Sequence, residues 1–311
     1  MARTSAAQDE PDQRGRALKT GAATIATVAV IGLFWGLNWP AVKFLLREVG
    51  PFTIRAVALS GAALLLWAWV AAQGQRLRPP ARELPWMALT GLLTIFGFNV
   101  LVALGQELTE TSKAAIIAYL MPALTAFFAV ILLGERMTRR RLMALVLGLA
   151  GIVVLASEDF GGLIARPLGP AIMLAAALSW ALGTVAMKAG RFTLAPLPLT
   201  VWFLGLSGLA CWPFVFAFEW PDALRLPSTA AMLVWAWHAL LPMVVCYALW
   251  TRLVGSLPAS VAAIATLVAP VVGVTSSILI LGDPVSAPKV LALVLILGSI
   301  ALTFAPERSR R

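Results

Sequence analysis

The chain has 311 residues, of which 60% are hydrophobic and 12% charged, with a mean hydropathy of +0.90 and a formal net charge of +10. That balance excludes a soluble globular domain, in which about a quarter of the residues are charged. Lys and Arg beside apolar runs set membrane topology and are not read as phosphate ligands, so no nucleic-acid partner is expected.

The apolar runs are roughly 20 residues long, the length a helix rising about 1.5 Å per residue needs to cross the hydrocarbon layer. They are continuous, as in Ala56 to Ala72, and not the short alternating segments of a barrel. In chain order, residues 1–20 are a polar, mixed-charge cytoplasmic tail that reads as disordered. No small-residue cleavage pattern follows the first run. Spans are expected at about 21–46, 52–72, 85–104, 113–133, 138–156, 168–190, 198–218, 229–251, 258–281 and 287–305, and 306–311 form a second tail. The fold class is all-α: a polytopic membrane protein with ten transmembrane helices.

Residues 107–152 recur at 255–300. At a constant offset of 148, Ser112 falls on Ser260, Pro122 on Pro270, Gly134 on Gly282 and Glu135 opposite Asp283. Thirteen of the 46 pairs are identical; matches of Ala, Leu and Val mean little in so apolar a chain, whereas the Pro and the Gly followed by an acid carry the repeat. A second register, offset 145, sets Trp35 on Trp180, Lys43 on Lys188 and Pro51 on Pro196. The chain therefore divides into two five-helix repeats, 21–157 and 168–305, and an odd number of spans per copy inverts the second relative to the first. With the N-terminus inside, 17 of the 24 Lys and Arg lie on the inner side and Lys43, Arg47 and Arg55 surround the first outer loop, which places both termini in the cytoplasm.

An ionisable group inside a span is a functional candidate by default, and all 14 carboxylates fall in tails, loops or span ends. His238 is the single histidine and reads as a hydrogen-bonded packing residue. Cys211 and Cys246 both fall in apolar runs, which excludes a disulfide framework and a CxxC site. With neither a nucleophile elbow nor an HExxH motif, no enzyme, metal site or cofactor is expected. Uncharged polar and aromatic residues remain. Trp35, Asn38 and Trp39 share one helix face at i, i+3 and i+4. Phe98 and Asn99 fall on Cys246 and Tyr247 at offset 148. Tyr119, Trp180 and Thr266 complete the candidate substrate-binding set of Trp35, Asn38, Phe98, Asn99, Tyr119, Trp180, Tyr247 and Thr266. Equivalent positions of inverted copies converge near the bilayer midplane. Pro122 and Pro270, inside spans four and nine, are candidate hinges, with a static kink as the alternative. Gly148, Gly151, Gly205 and Gly208 are candidate close-packing sites. Spans five and ten, nearly pure aliphatic, belong at the periphery.

Phe34, Trp35 and Gly36 followed by Asn38, the stretch Tyr119, Leu120, Met121, Pro122, the ending Gly134, Glu135, Arg136, and the stretch Tyr247, Ala248, Leu249, Trp250 together resemble the drug/metabolite transporter superfamily. Each half resembles the EamA-type module, over essentially the whole chain after residue 20. The resemblance implies an inner-membrane exporter of amino acids, other metabolites or cationic drugs, with a cavity between spans one to four and six to nine; in look the chain is closest to bacterial amino-acid exporters, including aromatic ones. Its expected partners are a small-molecule substrate and membrane lipid, as a monomer or homodimer. The second copy departs from the pattern, with Leu267 and Ala269 where the first has Tyr119 and Met121. A nucleotide-sugar substrate lacks an inward cluster of Lys or Arg. A non-transporting scaffold or receptor, whose polar residues only join helices, stands as the alternative of another class.

Overall fold

The computed structural model describes residues 6–108, 114, 117–157, 167–281 and 285–304, and among these every regular element is helical. The helices are α1 (Ala6–Leu45), α2 (Pro51–Ala72), α3 (Ala81–Leu108), α4 (Met121–Leu133), α5 (Arg139–Ala156), α6 (Leu168–Ala189), α7 (Pro196–Glu219), α8 (Thr229–Ser256), α9 (Ala259–Ala265), α10 (Val268–Leu281) and α11 (Ala287–Phe304). Six segments among the described residues are long and apolar enough to cross a bilayer: Ala22–Leu45, α2, α3, α6, α7 and α8. Helix α1 begins at Ala6, so residues 6–20 of the polar segment expected to be disordered continue the first helix. Ser112, Gly282, Asp283, the start of span four and the C-terminal tail lie outside the described residues.

Packing relates the two halves. Helix α2 packs on α7 and α5 on α11, while α1 meets α8 and α10 as α6 meets α3 and α4. Small residues let backbones approach. A Cβ on Gly151 would stand 3.0 Å from the Ala292 carbonyl oxygen, and one on Gly208 2.8 Å from the Ser60 nitrogen. Gly148 is similarly tight against Leu267, whereas Gly205 has only an ordinary contact with Ala63. Outward faces of α5 and α11 expose Met143, Val146, Val153, Val294 and Leu297, the apolar surface that lipid covers in a bilayer. Trp67, Trp69, Trp86 and Trp220 are exposed as well, as interfacial anchors are.

Helix starts in one half are capped by carboxylates of the other. Glu219 accepts the Phe52 and Thr53 backbone N–H groups at 2.8 and 2.7 Å at the start of α2, and Glu135 accepts Ala259 N–H at 2.6 Å and the Ser260 hydroxyl at 2.7 Å at the start of α9. Glu48 takes the Ser228 N–H and hydroxyl before α8, and Glu83 takes those of Thr193 before α7. Glu219 and Glu135 satisfy N–H groups that have no partner within their own helix and, like Glu48 at the N-cap Ser228, face the positive end of a helix dipole, whereas Glu83 holds the loop just before α7. Glu48 and Thr193 are 145 residues apart, as are Glu83 and Ser228; the two clasps are one contact with donor and acceptor exchanged.

Candidate substrate cavity

Helices α3 and α8 carry the same irregularity at the same place. Gly91–Gly97 and Ala239–Cys246 are π-helical, and their starts are 148 residues apart. A π turn breaks the i to i+4 ladder and frees carbonyls. The Leu93 carbonyl accepts the Ser179 hydroxyl at 2.7 Å, and the Pro242 carbonyl accepts Trp35 Nε1–H at 3.2 Å. In the first copy glycine at both ends accommodates the wider turn; in the second, Pro242 removes a ladder N–H outright. Immediately after the two segments stand Phe98 with Asn99, and Tyr247.

These residues face a cavity of about 50 Å³, room for a few waters on a scale where one needs about 10–15 Å³. All eight residues of the candidate set line it: Trp35, Asn38, Phe98, Asn99, Tyr119, Trp180, Tyr247 and Thr266. Trp35 and Trp180, equivalent at offset 145, meet edge-on with centroids 5.2 Å apart. Phe98 packs on Trp180 at 4.8 Å, Tyr247 on Trp35 at 5.5 Å and Tyr119 on Trp39 at 5.9 Å. The Thr266 hydroxyl donates to the Ala263 carbonyl at 2.7 Å, so its proton goes back to the end of α9. Tyr119 and Thr266 sit at breaks: residues 119–120 form a turn before α4, and 266–267 a turn between α9 and α10. Pro122 opens the first turn of α4 and Pro270 that of α10, so both candidate hinges directly follow a break that contributes a wall residue.

The cavity also holds what sequence reading missed. Arg55, read with Lys43 and Arg47 as a basic residue around the first outer loop, is 1% exposed inside α2 and lines the cavity. Its position in the first turn after Pro51 resembles a loop charge; burial is set by α8, which lies against α2. Arg55 Nε–H donates to the Asn99 carbonyl at 3.2 Å, and Nη1 lies 2.9 Å from His238 Nε2. His238 Nδ1 lies 2.6 Å from Asn38 Oδ1. Guanidinium only donates, so Nε2 accepts, the imidazole is the neutral Nδ1–H tautomer, and Nδ1–H donates to Asn38. His238 is thus a hydrogen-bonded residue at zero exposure, and Asn38 is engaged by it. Gln106 was missed as well. It follows Asn99 and Val102 on one face of α3, lines the cavity, donates to the Trp39 carbonyl at 3.3 Å and leaves its buried Oε1 without a partner. Trp180 Nε1 is likewise buried and without a partner.

The sequence profile of the EamA-like transporter family matches residues 22–157 and again 167–305. The chain belongs to the EamA-like transporter family. It is a multi-pass membrane transporter of the drug/metabolite type with a small-molecule substrate, and family and relatives alike mark it as a transporter and not an enzyme. Among similar proteins, the uncharacterized transporter YvbV of Bacillus subtilis is 28% identical over 93% of both chains. A protein of Salmonella typhimurium named a probable amino-acid metabolite efflux pump is 27% identical over 91% of this chain and 95% of its own. The uncharacterized inner membrane transporter YedA of Escherichia coli is 30% identical over 49% of each chain. A crystal structure 21% identical in sequence superposes with a TM-score of 0.72 over 89% of this chain and 96% of its own, the same fold.

Proposed function

We propose that this EamA-like protein exports small metabolites, foremost amino acids with apolar or aromatic side chains, by alternating access between two inverted five-helix repeats. The observation that carries the reading is the meeting of equivalent residues at the cavity: Trp35 touches Trp180 and Asn99 bonds to Tyr247. Residues beside a two-fold axis touch their own equivalents, so these contacts support the reading of an axis through the cavity that relates the two halves. Lys43 donates to the Gln106 carbonyl and Lys188 to the Val254 carbonyl, again equivalents at offsets 145 and 148. Ten spans in inverted halves, an inner-membrane location and cytoplasmic termini complete the reading.

Aromatic walls suit an apolar side chain through stacking, and Asn38, Asn99 and Thr266 line the polar part of the same cavity. Because the walls pack on one another around room for a few waters, a substrate enters only when the halves separate, with the turns before Pro122 and Pro270 as flexible points. Among the described residues no carboxylate lines the cavity, which supports facilitated, gradient-driven movement over proton exchange. Uptake of labelled amino acids into liposomes holding the purified protein, with and without a pH gradient, tests both parts. Saturable flux of aromatic or other apolar amino acids without a gradient is the expected result; flux that requires the gradient overturns the uncoupled mechanism. Absence of flux for every amino acid shifts the substrate to another metabolite or a drug.

A further inference from the structure

Arg55 is a permanent cation 1% exposed in a membrane-spanning helix, and no carboxylate among the described residues pairs with it. Its Nε–H and Nη1 are spent on the Asn99 carbonyl and His238 Nε2, two neutral acceptors that fix the guanidinium plane without neutralising it. Among the described residues the Nη2 amine makes no hydrogen bond beside those of Nε and Nη1. The fixing partners are themselves fixed, His238 by Asn38 and Asn99 by Tyr247 and the Ile95 carbonyl, and Asn38, Arg55, Asn99 and Tyr247 all line the cavity. A buried charge held in one orientation with unspent donors beside a cavity is the arrangement that recognises an oxyanion, since guanidinium matches carboxylate geometry better than any other side chain.

We propose that Arg55 is the carboxylate-binding subsite of the cavity, and that the transported molecule therefore bears a carboxylate. This deepens the amino-acid reading above and rests on that cavity being the transport site. The same charge turns the cavity away from molecules whose only charge is positive, which separates this protein from an exporter of cationic drugs. Groups for the other end of a zwitterion exist in the same cavity: Gln106 Oε1 is buried and unpartnered, and Trp39 and Tyr119 line it, aromatic rings of the kind that attract a cation.

The test compares ligands that differ only at the charged group. Titration calorimetry on the protein in lipid nanodiscs is run with 3-phenylpropionate against phenethylamine, and with 4-methylpentanoate against 3-methylbutylamine. The expected result is binding of the carboxylate at least about tenfold tighter than the matching amine, the scale of one hydrogen bond to a charged group, with the preference lost in Arg55→Gln. Arg55→Lys, which keeps the charge without the planar fork, retains the sign of the preference at reduced size and serves as the readout if the Gln variant fails to fold. Equal binding of carboxylate and amine overturns the proposal, as does a folded Arg55→Gln that keeps the wild-type preference, or the absence of carboxylate binding in both series. Binding confined to the aliphatic pair, still dependent on Arg55, removes the aromatic reading of the substrate and leaves the subsite standing.

Discussion

Asn99 Nδ2–H donates to the Tyr247 hydroxyl oxygen at 2.6 Å across a sequence separation of 148 residues, the offset at which the second half of the chain repeats the first. Each residue follows its own π-helical segment, so the bond joins the two irregular helices at one depth. Asn99 keeps a second bond to the Ile95 carbonyl at 2.9 Å. Tyr247→Phe therefore leaves Asn99 with one partner and should lower stability by about 1 kcal/mol, while transport changes much more because the two π segments lose their direct tie. Thermal unfolding and liposome flux measured on one preparation check this; equal, small losses in both would show that the bond only packs.

The polar chain from Asn38 through His238 to Arg55 makes an ordering prediction. Arg55→Met removes the charge and leaves His238 Nε2 as a lone unpaired acceptor. His238→Leu keeps the charge buried and takes away one of its two acceptors, the costlier change, on the order of 3–5 kcal/mol for a buried charge that loses its partner. The midpoint of thermal unfolding should fall further for His238→Leu than for Arg55→Met. The reverse order would mean that lipid or water reaches Arg55 and solvates it.

The six long spans, and the aromatic residues that line the cavity, were legible in the sequence because each rests on a periodic or repeated signal: continuous apolar runs of membrane length, and Trp35 with Trp180 at one offset. Arg55 was not legible, since a basic residue near the start of a span is usually a snorkelling or loop charge, and it is held inward by α3 and α8, through Asn99 and His238. The π segments have no local signature beyond Gly91, Gly97 and Pro242, residues equally common in ordinary membrane helices. The carboxylate clasps are not legible either: a carboxylate in a loop or at a span end carries no local sign of a partner in the other half of the chain.

Glu48 carries a pH prediction. Hydrogen bonds from the Ser228 backbone N–H and hydroxyl hold its carboxyl below the ordinary value of 4.5. A carboxyl whose folded pKa is depressed contributes stability above its unfolded value, and that contribution is lost as pH falls through the folded one. Acidification from about pH 6 to about pH 3 should then lower the unfolding midpoint more in the wild type than in Glu48→Gln, which cannot titrate. Identical pH profiles would show that the clasp does not persist in solution.

Two glycines separate close packing from open space. A Cβ on Gly183 would fall 2.5 Å from the Thr94 backbone nitrogen, inside the first π segment, whereas a Cβ on Gly61 would meet nothing within 4 Å. Gly183→Ala must push α6 away from α3, and overpacking of this kind costs about 1–3 kcal/mol. Because Trp180 lies on the same helix three residues earlier and forms the cavity wall with Phe98, the displacement should also widen the cavity and alter the affinity for aromatic ligands. Gly61→Ala gains helix propensity with no clash and should be neutral or more stable by up to about 1 kcal/mol. Unfolding midpoints of the two variants in the same detergent, with aromatic-ligand affinity alongside, decide the matter: a Gly183→Ala protein as stable and as tightly binding as Gly61→Ala would mean that the α3–α6 contact yields easily and that the π segment does not depend on it.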